Sequence, residues 1–343
     1  MTPRIRVLIT DDSSTQRQLQ RTLLGEHPEL EIVGEAHDGE QAVALCSTLR
    51  PAVVTMDVLM PRLDGLGATA RIMRESPARI LIVASVEEGR QVDLSFQAMA
   101  AGALMVMAKA RTTDGASLRR WADALARNIV LMSEIPVVTR RPRLVRPPSR
   151  AVAVAPVGAL GIAASTGGPP ALVKILSALP GNLAVPVLVA QHLAPGFTGG
   201  LVRWLKESTP LQVAIATPGI AARPGTVYLP PDHCDLIVDA EGLLSTPTSP
   251  GGHCPSADRL LTSLARAYRA RALGMVLTGM GEDGAQGLLA IRRAGGPTLV
   301  QDEASSVVFG MPQAALKLGA AEAGIPLSDL AGEVMRLCRP RGA

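Results

Sequence analysis

The chain has 343 residues, 47% of them apolar, and a formal net charge of +4. That length and apolar content suffice for two hydrophobic cores, and no apolar run reaches the roughly 18 residues of a membrane-crossing helix, so membrane insertion is excluded. Four cysteines without metal-type spacing (Cys46, Cys234, Cys254, Cys338), and an N-terminus that enters a charged strand-like segment directly, predict a cytoplasmic, reduced protein. The basicity is local: Arg140, Arg141, Arg143, Arg146 and Arg150 share one short segment, and without them the net charge changes sign. With aromatic residues at only 2%, too few to stack on bases, no nucleic-acid partner is expected.

In chain order, strand-like segments at 6–10, 31–36 and 52–56 alternate with helical patterns at 15–24 and 39–49, and the alternation continues to about residue 133. It predicts a doubly wound parallel sheet, in which ligands bind beyond the carboxyl ends of the strands. Those ends carry Asp11 and Asp12, then Asp57, Ser85 and Lys109. Converging carboxylates repel unless a cation intervenes, and hard oxygen ligands suit Mg²⁺. Asp-Asp after a strand is also a good helix N-cap, and Asp64-Gly65 reads as a turn. Residues 116–132 form the last helix of this unit, with Leu118, Trp121, Leu125 and Met132 on one face for packing; His27 and His37 read as surface residues. Taken with DVLMPRLDG at 57–65, the set closely resembles the receiver domain of bacterial response regulators over residues 5 to about 125. The resemblance implies a flavodoxin-like fold in which Asp57 accepts a phosphoryl group from a histidine kinase. It implies Mg²⁺ held by Asp12 and Asp57 with the Leu59 carbonyl, supported by Asp11, and phosphoryl contacts from Ser85 and Lys109. Two positions depart from the family pattern: Ala110 stands where proline usually follows the lysine, and Val106 at the usual aromatic switch position.

Residues 134–151 contain Pro136, Pro142, Pro147 and Pro148 among the arginines, which predicts an extended, semi-rigid linker between domains 1–133 and 152–343. Beyond it, strand signals at 157–164, 185–190, 274–278 and 298–300 predict a second parallel α/β domain. The first of these strands ends on Ser165, followed by Gly167, Gly168, Pro169 and Pro170. A serine there projects from a sheet edge where the unpaired amides of a helix start converge, a nucleophile's setting, although the same residues also make ordinary turns and caps. Gln191 and His192 end the second strand, and MGEDG at 280–284 follows the third. His233 and His253 each precede a cysteine, but a zinc site from His233, Cys234, His253 and Cys254 lacks the usual spacers. His192 is the favoured imidazole by its position at a strand end. Among Asp232, Asp235, Glu282, Asp283 and Asp302, the flanking Gly281 and Gly284 favour 282 or 283 as its carboxylate partner.

The segments AASTGGPPAL, QHLAPGFT, PPDH, HCPSADRLL, VLTGMGEDGA and QDEASSVVFGMP together resemble the chemotaxis protein-glutamate methylesterase domain over 152 to about 335. A receiver, linker and methylesterase in tandem is that family's architecture. The resemblance implies Ser165 as nucleophile, His192 as base and Asp283 as carboxylate, with the backbone amides of Thr166 and Met280 as the oxyanion hole. It implies hydrolysis of glutamate γ-methyl esters on methyl-accepting chemotaxis receptors, deamidation of receptor glutamines, a chemotaxis-type histidine kinase as phosphodonor, and no cofactor for the hydrolysis itself. It also implies regulation, with an unphosphorylated receiver covering the Ser165 edge and phosphorylation at Asp57 releasing it. Cys254 stands where the family usually has arginine. The chain order Ser, His, Asp, and the lack of a glycine two residues before Ser165, disfavour an ordinary α/β-hydrolase. Two rivals remain from sequence: a response regulator whose second domain binds a partner or DNA without catalysis, and an esterase-like module serving a pathway outside chemotaxis. The first lacks helix-turn-helix patterning.

Overall fold

The computed structural model describes residues 3–87, 89–110, 114–135, 156–249 and 254–338. The chain divides into two compact units, the first ending at Thr139. The Pro/Arg-rich linker from Pro136 onward, and His253, lie outside the described residues.

The first unit runs β1 (Ile5–Thr10), α1 (Ser14–Gly25), β2 (Leu30–Ala36), α2 (Gly39–Leu49), β3 (Val53–Met56), α3 (Gly65–Glu75), β4 (Arg79–Ala84), α4 (Gly89–Ala100), β5 (Met105–Ala108) and α5 (Gly115–Ser133). Its strands pair in parallel in the order β2-β1-β3-β4-β5. The central strands β3 and β4 are buried almost throughout, apolar except for Thr55 and Arg79, because helices cover both faces of the sheet. Three helices begin on an aspartate whose carboxylate accepts an amide of the first turn: Asp38 for α2, Asp64 for α3 and Asp114 for α5. Asp64 is thus a cap as well as a turn residue. Gly65 next to it meets a stricter demand, because a methyl group built there falls 2.0 Å from the Asp57 carbonyl oxygen. Trp121 on α5 is half-buried, and its indole N–H donates to the Ala108 carbonyl at 2.8 Å, tying α5 to the end of β5.

The second unit runs β6 (Ala159–Ala164), α6 (Gly168–Leu176), β7 (Val187–Gln191), α7 (Thr198–Ser208), β8 (Gln212–Ile215), β9 (Thr226–Leu229), β10 (Ile237–Val238), β11 (Leu244–Ser245), α8 (Ala257–Tyr268), β12 (Ala272–Val276), α9 (Ala285–Arg293), β13 (Thr298–Gln301), α10 (Met311–Lys317), β14 (Gly324–Ile325) and α11 (Leu327–Cys338). Seven strands form one parallel sheet in the order β14-β13-β12-β6-β7-β9-β8, and β10 and β11 make a small antiparallel hairpin. Sequence periodicity points to β6, β7, β12 and β13 but not to β8, β9, β14 or the hairpin; β14 and the hairpin strands have two residues each, and β8 (QVAI) and β9 (TVYL) mix polar and apolar residues where β6, β7 and β12 are nearly all apolar. The ladder of β12 ends at Val276, two residues before the apolar signal suggests. Thr278 there turns its amide away from the ladder to the side-chain oxygen of Gln301.

In both sheets the chain leaves one strand to opposite sides: β1 lies between β2 and β3, and β6 between β7 and β12. Such reversals open a crevice beyond the strand ends. Asp11 and Asp12 follow β1, and Ser165 follows β6.

Candidate active site and phosphoacceptor site

In the first unit, the amides of Asp11, Asp57 and Lys109 continue the parallel ladder by one residue each, donating to Ala36, Thr10 and Ala84. This places their side chains at one edge. The Lys109 ammonium lies 2.8 Å from Asp11 Oδ2 and 2.8 Å from Asp57 Oδ2. Burial, then the charge of Asp11, push the Asp57 carboxyl up to about 6 against the pull of Lys109. Burial likewise raises Asp11. For Lys109 burial favours the neutral amine, but Asp57 and Asp11 outweigh it and hold the ammonium above its ordinary range. Carboxylate oxygens of Asp11, Asp12 and Asp57 lie within 4.8 Å of one another, the one such acidic or metal-ligating group among the described residues. One lysine against three carboxylates leaves negative charge uncompensated, and the ligand set is all hard oxygen, so these residues fit a Mg²⁺ ion. Ser85 follows β4, next to β3 in the sheet, and its hydroxyl accepts from the Glu87 amide at 3.3 Å.

In the second unit, the β6–β7 register pairs Ala164 with Gln191, and the His192 amide donates to the Ala164 carbonyl at 3.0 Å. Ser165 and His192 therefore leave neighbouring strands at the same level. The Ser165 amide donates to the Thr278 carbonyl at 3.0 Å, which brings in the end of β12. Across the gap, His192 Nε2 lies 2.8 Å from Asp283 Oδ2, joining residues 91 apart in sequence. Asp283 is buried and Glu282 exposed, which separates the two candidates of the 280–284 loop by geometry.

Asp283 holds a dense set of donors. Its Oδ2 also accepts the Ala257 amide at 2.8 Å, and its Oδ1 accepts the Asp258 amide at 2.9 Å and the Ser256 hydroxyl at 3.3 Å. The carboxylate thus lies on the N-terminus of α8, where unpaired amides favour negative charge. Burial alone would raise its pKa, but the hydrogen bond from His192 and the amides of Asp258 and Ala257 prevail and lower it. Asp283 is therefore ionised and fixed while it orients the imidazole. The other sequence candidates are engaged elsewhere: Asp232 with the Thr198 hydroxyl, Asp235 with Arg259 and the Ser256 amide, and Asp302 with the Ser305 amide.

The peptide environment of Ser165 is tightly specified. The Ser165 amide is taken by the Thr278 carbonyl; the amides of Thr166 and Met280, the pair implied by the family resemblance, donate to no protein acceptor among the described residues, and neither do those of Gly167 and Gly281 beside them. Gly279 lets the Met280 segment approach: a methyl group built on it falls 2.3 Å from Met311 Sδ and 2.7 Å from Ser165 Cβ. Two side chains unassigned from sequence brace this arrangement. Gln191 Nε2 donates to the carbonyls of both Ser165 and His192, at 2.9 Å each. The buried Thr278 hydroxyl donates to the Thr166 carbonyl at 2.9 Å and accepts the Val308 amide at 2.9 Å. Their only sequence signal is a polar residue closing an apolar strand. Cys254 donates weakly to the Cys234 carbonyl at 3.7 Å, and burial raises its thiol.

A family model described as the CheB methylesterase matches residues 160–334, and a response regulator receiver domain model matches residues 7–116. A protein-glutamate methylesterase/protein-glutamine glutaminase of Myxococcus xanthus is 55% identical over 334 residues, 97% of this chain and 94% of that one. A similarly named protein of Anaeromyxobacter dehalogenans is 44% identical over 326 residues, 93% of this chain and 95% of its own length. Among solved structures, the Thermotoga maritima CheB methylesterase catalytic domain aligns over its whole length with 53% of this chain, with a TM-score of 0.51 and 32% identity.

Proposed function

The chain belongs to the CheB methylesterase family, in the form that carries a response regulator receiver domain ahead of the catalytic domain, and from that premise we propose how its residues perform the reaction. It is a protein-glutamate methylesterase and protein-glutamine glutaminase. The observation that carries the mechanism is the His192–Asp283 contact, together with a strand register that brings Ser165 and His192 off neighbouring strands at one level of the sheet edge.

Because Asp283 engages Nε2 of His192, the nitrogen left for the serine proton is Nδ1. Ser165 Oγ attacks the γ-carbonyl carbon of a methylated glutamate while His192 takes its proton. The tetrahedral oxyanion is held by the amides of Thr166 and Met280, a donor pair whose loss costs about 3 kcal/mol per member in comparable sites. Collapse breaks the ester C–O bond, and methanol departs with the proton from His192. Water then adds to the acyl-serine, giving its proton to the imidazole, and the glutamate carboxylate leaves as Ser165 recovers its hydrogen. With glutamine as substrate the same path releases ammonia. The hydrolysis needs no cofactor in this scheme.

The first unit is the regulatory input. Asp57 receives a phosphoryl group from a chemotaxis-type histidine kinase, with Lys109 and Ser85 contacting the phosphoryl oxygens. Asp12 and Asp57, with the Leu59 carbonyl and with Asp11 in support, hold Mg²⁺, which supplies positive charge to the transferring group when bound. The substrates are methylated chemoreceptors, whose demethylation resets signalling during adaptation. No described helix is long and apolar enough to cross a membrane, in keeping with an enzyme that visits receptors from outside the bilayer. The test is methanol release from methylated receptor membranes with and without a small phosphodonor, comparing the full chain with Asp57→Asn. Stimulation in the parent and none in the variant is expected; equal stimulation in both overturns the regulatory assignment.

A further inference from the structure

The turn carrying Asp283 is held by a second carboxylate, Asp258, in the first turn of α8. Helix α9 (Ala285–Arg293) has Gly284 at its N-cap, which has no side chain and therefore offers no cap of its own. The cap comes from outside the helix: Asp258 Oδ1 accepts the amides of Gly284 at 3.0 Å and Gly287 at 2.7 Å. In exchange, Asp283 accepts the amides of Ala257 and Asp258 at the start of α8. The two helices thus trade caps, each carboxylate sitting on the other's N-terminus.

The trade has an electrostatic cost. Burial raises the Asp258 carboxyl, and the nearby charge of Asp283 raises it further against the pull of the Gly287 and Gly284 amides. Gly284 follows Asp283 directly, so the bond from its amide fixes the peptide from which Asp283 reaches His192.

We propose that Asp258 is a positioning residue for hydrolysis: as the borrowed cap of α9 it sets the Asp283–His192 alignment without touching substrate. This rests on the reading of Asp283 as the triad carboxylate. Its requirement is the place of the acceptor oxygen, so two variants separate position from charge. Asp258→Asn keeps a carbonyl oxygen at Oδ1 and removes the charge, whereas Asp258→Glu keeps the charge and moves the acceptor by one methylene.

The experiment measures kcat and KM for methanol release in the full chain, counting active molecules by stoichiometric labelling with a serine-directed fluorophosphonate. Asp258→Asn should keep kcat within about threefold, and Asp258→Glu should lower it about 10- to 100-fold at unchanged KM, the scale of a sub-ångström misalignment. In ¹⁵N-histidine-labelled protein, the Nε2 proton of His192 should hold its resonance in Asp258→Asn and shift in Asp258→Glu. A wild-type kcat in Asp258→Glu, a kcat in Asp258→Asn as low as in Asp258→Glu, or a loss confined to KM overturns the proposal. Asp283→Asn in the same assay distinguishes the two failures. If it is inactive while both Asp258 variants are normal, only the role of Asp258 fails; if it too is normal, the triad reading fails.

Discussion

Replacing Asp283 with asparagine perturbs the site in a way its hydrogen bonds specify. Each carboxylate oxygen accepts from at least two donors: Oδ2 from His192 Nε2 and the Ala257 amide, Oδ1 from the Asp258 amide and the Ser256 hydroxyl. An asparagine must put its NH₂ in one of these places. Toward Oδ2, it faces the Ala257 amide and forces His192 to accept at Nε2, moving the ring proton to Nδ1, where it blocks uptake of the serine proton. Toward Oδ1, it leaves the Asp258 amide facing another donor. Either orientation strands a buried donor, at about 1–3 kcal/mol of folding stability. The wrong tautomer lowers kcat by roughly a thousandfold or more, the scale known for an aspartate-to-asparagine change in another Ser-His-Asp triad. The lowered pKa of Asp283 sets the sign with pH: its contribution to stability is complete above the unfolded carboxylate value near 3.8 and is lost as pH falls through the folded value. The assay pairs methanol release, normalised to folded protein, with thermal unfolding between pH 3 and pH 7. A kcat within threefold of the parent would refute the orienting role of Asp283.

Two further outcomes follow from crowding and charge. Gly279→Ala drives its new methyl group into Met311 Sδ and Ser165 Cβ, so stability falls by about 1–3 kcal/mol and methanol release falls with it; parent-like melting and turnover would show that the segment yields freely. In the receiver, Mg²⁺ must displace the proton of an Asp57 carboxyl raised to about 6. Calorimetric affinity should therefore be flat above that value and weaken about tenfold per pH unit below it; a pH-independent affinity from pH 5 to pH 7 would count against Asp57 as a ligand.

The acidic edge of the receiver and the Ser165 turn are legible in the sequence because each follows a strand, and strand ends in a parallel sheet face a common side. Asp11, Asp57 and Lys109 do meet there. What pattern reading leaves open is which carboxylate meets His192. Glu282 and Asp283 share a glycine-flanked loop, and burial separates them only once α8 supplies its amides. The braces are less legible still. Gln191, Thr278 and Asp258 act through hydrogen bonds to main-chain groups distant in sequence or on other elements, and no periodicity encodes such partners. Strand β14 has two residues, too few for a pattern to register, and β8 and β9 each mix polar and apolar residues within four, without the continuous apolar run that marks the central strands.

The central claim is that Ser165 is the nucleophile, and methanol release from methylated receptor membranes by Ser165→Ala tests it most directly. The full-length variant should melt like the parent and show turnover reduced by more than about a thousandfold. Near-normal methanol release from the folded variant would contradict the account.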